Sequence, residues 1–154
     1  MDSANYTSRA ESLPTAAIDL AARMFDAARQ GNIELLRQAL PAGLPANLRN
    51  GMGDSLLMLA AYNGHANVVK LLLDCGADPN QLNDRQQSPL AGAVFKMEDN
   101  VINVLLEGGA DPDHGHPSAL ECVTMFKQET KWKNKFEEEA SARGKVVEAS
   151  KASI

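Results

Sequence analysis

The residues of this chain best suited to chemistry are the acids and histidines of one short segment. The segment reads Asp111-Pro112-Asp113-His114-Gly115-His116, and carboxylates and imidazoles are common metal ligands. It falls in a loop between two expected helices, so the interpretation we favour is a solvated turn. The sequence contains no glycine-rich phosphate loop, no Cys–His pair at catalytic spacing and no HExxH pattern. We therefore expect no enzyme activity, no metal site and no cofactor.

The elements that must position these residues are clearest in the stretch 53–80. It holds two short apolar runs, Leu56–Ala61 and Val68–Leu73, separated by Asn63-Gly64. Each run is too short to form a stable helix alone in water, so the pattern predicts an antiparallel pair of helices joined by a glycine turn. Gly76 follows the second run, in the left-handed position that commonly ends a helix.

The same pattern recurs every 33 residues along the chain. Gly109 follows Gly76 at that spacing, and Gly43 precedes Gly76 by the same interval. Val101–Leu106 repeats the run Val68–Leu73 in the next unit. A self-similar period of this length indicates a repeat array, in which each unit buries its apolar face only against its neighbours.

The unit resembles an ankyrin repeat, whose pattern is roughly G-x-T-P-L-H-x-A-A-x-x-G-H-x-x-V-V-x-L-L-L-x-x-G-A-D-x-N. Ser55, Leu56 and Met58 replace the threonine, the proline and the first histidine of that pattern. The resemblance implies an all-α solenoid of about four helix–turn–helix repeats with β-hairpin or loop fingers, whose terminal repeats act as caps. Over about residues 16–126, the chain is similar to small single-domain microbial ankyrin proteins. The matching residues are Gly53, Leu57, Ala60, Ala61, Gly64, His65, Val68, Val69, Leu71, Leu72, Leu73, Gly76, Ala77, Asp78 and Asn80.

The chain divides into a repeat domain over 14–142 and two terminal segments. Residues 1–13 are polar and aperiodic, which predicts disorder. We expect the last helix to end near the close of the domain and residues 143–154 to form a tail. Trp132 and Phe136 lie four apart and are expected to cover the open end of the last repeat. The repeats are predicted at about 17–49, 50–82, 83–114 and 115–142.

The third and fourth repeats depart from the pattern. Gly92 inside a helix costs about 1 kcal/mol against alanine, or it permits close packing of helices. Met97-Glu98 replaces the Gly64-His65 turn, so this turn lacks its glycine. The fourth repeat is expected to begin its first helix at Ser118, three residues earlier than the period would place it.

Charge and composition narrow the classes of partner. The net charge is −5, with −7 over residues 1–126 and +2 over residues 127–154. Nucleic-acid binding needs clustered Lys and Arg, so the acidic body argues against it and favours a basic protein partner. No apolar run approaches the roughly 18–20 residues of a membrane span. We expect a monomer.

The two cysteines and the N-terminus bear on the compartment. Cys75 and Cys122 fall in different repeats, so we expect them to be too far apart to bond and to serve as small buried hydrophobes. No cationic stretch followed by an apolar core marks a secretory signal. These features favour a reducing compartment, the cytoplasm, or the nucleus if the source is a eukaryote.

The resemblance also implies where a partner binds. In the family, partners bind a concave groove formed by the finger tips and the exposed faces of the first helices. His65 matches a family histidine that hydrogen-bonds its own turn. The corresponding groove residues here are Arg49, Met52, Asp54, Tyr62, Asn63, Leu82, Arg85, Gln87, Phe95 and Lys96. Further positions extend the groove at either end, and these are Arg29, Gln30, Met125 and Phe126.

We expect four of the groove residues to contribute most to partner binding. Met52, Tyr62, Leu82 and Phe95 are apolar or aromatic at positions that the repeat core does not need. Aromatic residues with arginine neighbours are typical binding anchors. Some of them could instead pack against neighbouring side chains within the face. The sequence favours a non-catalytic module that binds a protein or peptide, and the alternative is a dedicated regulatory subunit or assembly chaperone of a single basic client.

Overall fold

The computed structural model describes the backbone of residues 14–152 and the side chains of residues 14–143, so the disorder predicted for residues 1–13 lies outside the described residues. Within that part, eight α-helices form four consecutive pairs. The strand-like pairing outside the helices of these residues consists of two isolated β-bridges, Arg49–Ser55 and Gly115–Ser118. The pairs are α1 (Thr15–Gln30) with α2 (Ile33–Ala39), α3 (Leu56–Tyr62) with α4 (Ala66–Asp74), α5 (Pro89–Phe95) with α6 (Asp99–Glu107), and α7 (Ala119–Met125) with α8 (Glu129–Ala152).

A serine starts the first helix of each of the last three repeats. The hydroxyls of Ser55, Ser88 and Ser118 accept backbone N–H groups three residues on, at 3.0, 3.1 and 3.2 Å. At Ser118 the side chain of Glu121 also accepts the serine's own N–H, which completes a capping box. The early helix start predicted at Ser118 is confirmed.

The helices stack in two layers. The first helices α1, α3, α5 and α7 pack in order, and α2, α4 and α6 form the second layer. The interface between the layers is built from Leu, Val and Ala, and it fully buries Leu72 and Leu105, which occupy the same place in adjacent repeats. This layered order and register are those of the predicted solenoid.

Hydrogen bonds at the 33-residue period tie each repeat to the next. The backbone N–H of Asp78 donates to Asn47 Oδ1 at 2.7 Å, and that of Asp111 donates to Asn80 Oδ1 at 2.7 Å. Because both bonds join the same positions in successive repeats, they set the fingers at a constant offset along the array.

A second set of contacts joins the helix turns, and it corrects the role predicted for His65. Its Nε2 atom lies 2.7 Å from the carbonyl oxygen of Arg29, in the preceding repeat, rather than in its own turn. In the last repeat Gln128 Nε2 donates to the Val94 carbonyl at 2.8 Å. The His65 side chain therefore joins its own turn to the preceding repeat.

The last helix covers the end of the array. Trp132 and Phe136 are buried, with ring centres 5.8 Å apart, as the sequence predicts. Lys131 pairs with Asp99 of α6, which holds α8 against the third repeat. The helix does not end near residue 142 but continues to Ala152, because its Glu, Ala and Lys residues favour helix and a single glycine is tolerated.

None of the helices between residues 14 and 152 combines the length and the apolar character needed to cross a membrane. The longest, α8, has 24 residues but is rich in Lys and Glu.

Candidate binding groove

Three aromatic rings form a row across the exposed side of the first helices. The rings of Tyr62 and Phe95 stack with centres 6.2 Å apart and planes 13° apart. Phe126 meets Phe95 edge-to-face at 5.1 Å and 69°. The expectation that Tyr62 and Phe95 are neighbours is confirmed, and the row extends to the last repeat through Phe126.

The rings of Tyr62 and Phe95 are not part of the core, whereas Phe126 is partly buried and packs against it. Tyr62 is 41% and Phe95 48% exposed, whereas the core leucines of the same repeats are fully buried. The ammonium nitrogen of Lys96 lies 5.1 Å from the centre of the Tyr62 ring, within the range of a cation–π contact. The row therefore presents apolar faces to the outside with a cation at its edge.

A hollow opens between the rings, beside α5. Its floor is Gly92, which stands where the neighbouring repeats have Leu59 and Cys122. A Cβ atom at Gly92 would lie 3.5 Å from Tyr62 Cδ2 and 3.7 Å from Met58 Sδ, which are ordinary contacts. The glycine therefore does not serve close packing of helices; it leaves space. This Gly92 hollow has a volume of about 380 Å³ and is lined by Met58, Tyr62, Gln87, Ala91, Gly92, Phe95, Pro117, Cys122, Met125 and Phe126.

A second cavity adjoins the Gly92 hollow on the side of the fingers. It has a volume of about 210 Å³ and shares Met58, Tyr62 and Gln87 with the hollow. We call the two cavities together the groove. The lining residues that only the second cavity contains are Met52, Asp54, Leu59, Asn83 and Arg85.

Asn83 holds the finger side of the groove in place. Its side-chain nitrogen donates to Asp54 Oδ1 at 2.9 Å and to Gln87 Oε1 at 2.8 Å. Its side-chain oxygen accepts the backbone N–H groups of Arg85 and Gln87, both at 3.0 Å. Sequence reasoning missed this residue, although Asn50 stands 33 residues earlier and accepts two backbone N–H groups of its own finger.

The repeat pattern is also found by comparison with known proteins. The model of ankyrin repeats, in three copies, matches residues 24–116, which is more than half of the chain. This chain belongs to the ankyrin repeat family. An ankyrin repeat protein of Pseudomonas aeruginosa is 63% identical over 41 residues, a match that covers 27% of this chain. The chain spans only 24% of that relative's length.

Six of the residues predicted for partner binding lie in or at the ankyrin groove. Met52, Asp54 and Arg85 line the second cavity, Phe95 lines the hollow, and Tyr62 and Gln87 line both.

The other predicted residues are placed differently. Lys96 lies beside the groove, over Tyr62. Arg49 is half-buried in the bridge to Ser55, and Asn63 caps α3 by donating to the Leu59 carbonyl at 2.8 Å. Leu82 is half-buried, and its Cδ2 atom would lie 3.2 Å from a Cβ at Gly115. Leu82 therefore packs against the next finger and lines neither cavity of the groove.

A larger cavity than either part of the groove lies elsewhere, at the first ankyrin repeat. It has a volume of about 550 Å³ and is bounded by α1, α2 and the loop that follows them. Leu20 lines it and is 51% exposed. This cavity shares no lining residue with the groove and is therefore separate from it.

The two cysteines differ in exposure, which corrects one expectation. Cys122 is buried beneath the groove, and burial, with a smaller contribution from the negative charge of Glu121, raises the pKa of its thiol. The thiol stays protonated and behaves as a small apolar group. Cys75, in contrast, is exposed, because it lies at the end of α4, where the chain turns at the surface. Neither forms a disulfide.

The acid and histidine segment beginning at Asp111 does not form a cluster. Asp111 Oδ1 accepts the backbone N–H of Asp113 at 3.0 Å, as expected for a turn. Among the side chains of residues 14–143, no three His, Cys, Asp or Glu residues are arranged to hold a metal ion.

Proposed function

We propose that this ankyrin domain binds a segment of a partner protein in the groove and performs no catalysis. Ankyrin repeats are generally protein–protein interaction modules, and the family is typically non-enzymatic. The observation that carries the proposal is the row of three rings, Tyr62, Phe95 and Phe126, left half-exposed on one face. Tyr62 and Phe95 lie outside the hydrophobic core, whereas Phe126 is partly buried and packs against it.

The arrangement has the composition of a binding surface. Rings and methionines are enriched at the buried centres of interfaces, and charged residues occupy the rims. Here Met52 and Phe95 are among the exposed large apolar residues, with Arg85 and Lys96 beside them. Covering such an anchor and excluding water around it supplies most of the binding free energy of many interfaces.

The proposal is tested by removing the two stacked rings together. We expect Tyr62→Ala with Phe95→Ala to weaken partner binding at least about tenfold, equivalent to roughly 1.4 kcal/mol. The matched control is Leu20→Ala, which truncates an equally exposed apolar side chain outside the groove. Proteins captured from a lysate by the full chain and by the control, but not by the double variant, are purified and titrated by calorimetry.

Melting curves accompany the titration. Both rings are half-exposed, so we expect the double variant to lose only the ring contacts, of the order of 0.5–1.5 kcal/mol for each pair. Equal affinity of the double variant and the full chain would refute binding in the groove. A variant that no longer unfolds cooperatively would show instead that the rings belong to the core.

A further inference from the structure

Three of the six methionines of the chain line the groove, although they come from three different parts of the array. Met52, in the turn of the first finger, borders the second cavity. Met125, the last residue of α7, borders the Gly92 hollow, and Met58 of α3 borders both cavities. Thioether sulfur is therefore concentrated on the surface where the proposed partner binds.

Met125 takes the place of an aromatic ring. It ends the first helix of its repeat, which is the position that Tyr62 and Phe95 occupy in the two preceding repeats. A thioether keeps this position apolar and adaptable in shape. Unlike the side chain of a phenylalanine, it can be oxidised reversibly to a polar sulfoxide.

The groove exposes two of its methionines and shields the third. Met52 is 56% and Met125 60% exposed, whereas Met58 is only 6% exposed. An oxidant in solution must reach the sulfur, so Met52 and Met125 are open to it and Met58 is protected. Cys122, the remaining sulfur of the lining, is buried, and its raised pKa keeps it a thiol, whereas the thiolate is the reactive form. Oxidation of the groove therefore begins at the two exposed methionines.

A peroxide converts each thioether to a sulfoxide in one step. The sulfur lone pair attacks one oxygen of hydrogen peroxide, and the O–O bond breaks. The departing hydroxide takes the proton of the transferred oxygen and leaves as water. The sulfur is oxidised by two electrons, the peroxide is reduced by two, and the side chain now carries an S=O group. Methionine sulfoxide reductases reverse the change.

The two exposed positions differ in what a sulfoxide would meet when a partner covers it. No charged side chain lines the Gly92 hollow, so a covered sulfoxide at Met125 loses its hydrogen bonds to water without a charged donor to replace them. Met52 shares the second cavity with Arg85, whose guanidinium can donate to a sulfoxide oxygen. Oxidation of Met125 should therefore weaken binding more than oxidation of Met52.

We propose that Met52 and Met125 are reversible oxidation sites, and that their conversion to sulfoxides by a peroxide weakens the binding of a partner segment in the groove. The proposal rests on the proposed function and adds the regulation of the same site. It requires no change of fold, because both side chains are exposed and lie outside the hydrophobic core.

The binding probe for the test is a peptide of known sequence. A displayed library of random twelve-residue peptides is selected on the full chain. One peptide is kept whose affinity falls in Tyr62→Ala with Phe95→Ala, and we call it the groove peptide. Its affinity is measured by fluorescence anisotropy before and after the chain is treated with graded amounts of hydrogen peroxide.

Tandem mass spectrometry of the treated chain assigns each added oxygen to one methionine. We expect Met52, Met97 and Met125 to be oxidised before Met24 and Met58, because the first three are exposed and the last two are buried. The chain oxidised in this way should bind the groove peptide at least about tenfold more weakly. Its melting temperature should not change, and treatment with methionine sulfoxide reductases should restore the affinity.

Variants identify the methionines responsible. Each variant is compared with its own untreated form, so that a direct effect of the substitution cancels. Oxidation should weaken binding about threefold in Met125→Leu and less than about twofold in Met52→Leu with Met125→Leu. The matched control is Met97→Leu, which removes an equally exposed methionine outside the groove and should lose affinity on oxidation as the full chain does. The exposed thiol of Cys75 is present in every variant, so a loss caused by its oxidation would persist in the double variant.

Several outcomes would overturn the proposal. These are oxidation of Met24 or Met58 ahead of the exposed methionines, an equal loss of affinity in the double variant, and a fall in melting temperature that accompanies the loss. Unchanged affinity of the chain with sulfoxides at Met52 and Met125 would refute the oxidation switch and leave the proposed function standing. A selection that yields no peptide dependent on the rings of Tyr62 and Phe95 would refute both.

Discussion

The backbone of the turn between α5 and α6 predicts both the direction and the size of a change in the free energy of unfolding. Met97 adopts φ 57°, in the left-handed region, where the preceding repeats have Gly31 at 76° and Gly64 at 79°. An L-residue in this region costs roughly 1–2 kcal/mol, while glycine loses about 0.5–1 kcal/mol more conformational freedom on folding. Met97 is 63% exposed, so its side chain contributes little packing. We expect Met97→Gly to raise the free energy of unfolding by about 0.5–1 kcal/mol.

The reverse substitution is the matched control. A Cβ at Gly64 would lie 2.6 Å from the carboxyl carbon of Glu98, and its φ is left-handed. Gly64→Ala therefore suffers both the strained backbone and a close contact, and we expect it to lower the free energy of unfolding by about 1–3 kcal/mol. The contact is with the end of a flexible side chain, which can move, so most of the cost lies in the backbone.

Urea unfolding followed by circular dichroism measures both changes. In a thermal melt, a change of 1 kcal/mol in the free energy of unfolding corresponds to about 2–4 °C in the melting temperature of a domain of this size. An unchanged or lower midpoint for Met97→Gly, together with a neutral Gly64→Ala, would contradict the reasoning from backbone strain. A change in the urea dependence of the free energy would show instead that the native or unfolded state has changed in compactness or that unfolding is no longer two-state.

Two further predictions concern stability. Leu72→Ala and Leu105→Ala each leave a cavity between the helix layers, since both residues are fully buried. Each should lower the free energy of unfolding, measured in urea, by roughly 2–5 kcal/mol. A loss below about 1 kcal/mol at both positions would show that the repeat register is wrong. Deletion of residues 145–154 should hardly change the melting temperature, because this sequence has no periodic apolar stripe. Deletion from Lys127 onward should lower the melting temperature strongly, because it removes Trp132 and Phe136 from the end of the array. If both truncated chains melt at the same temperature as the full chain, α8 does not cap the array.

The fold could be predicted because its determinants repeat. The spacing from Gly76 to Gly109 sets the register, and Ser118 is a helix-capping residue that can be recognised without a structure. The end of α8 could not be placed in the same way. Helix propensity changes gradually along a polar segment, so no single residue marks where the helix stops.

The groove was predicted only in part. Tyr62 and Phe95 stand out because they are aromatic at positions outside the repeat core. The roles of Leu82 and Gly92 depend on which side chains of other repeats lie opposite, and the sequence of one repeat does not contain that information. Leu82 packs against the finger of Gly115, and Gly92 leaves a space rather than a close contact.

A site-specific cross-link tests the binding groove most directly. A photoreactive benzoylphenylalanine replaces Phe95 in one variant and Lys70, an exposed residue of the second helix layer, in another. Each variant is irradiated with the partner identified by capture, and the cross-linked product is quantified by mass spectrometry. Binding in the groove predicts a cross-link from position 95 and little or none from position 70. A cross-link from position 70 with none from position 95 would place the partner on the opposite face and contradict the account.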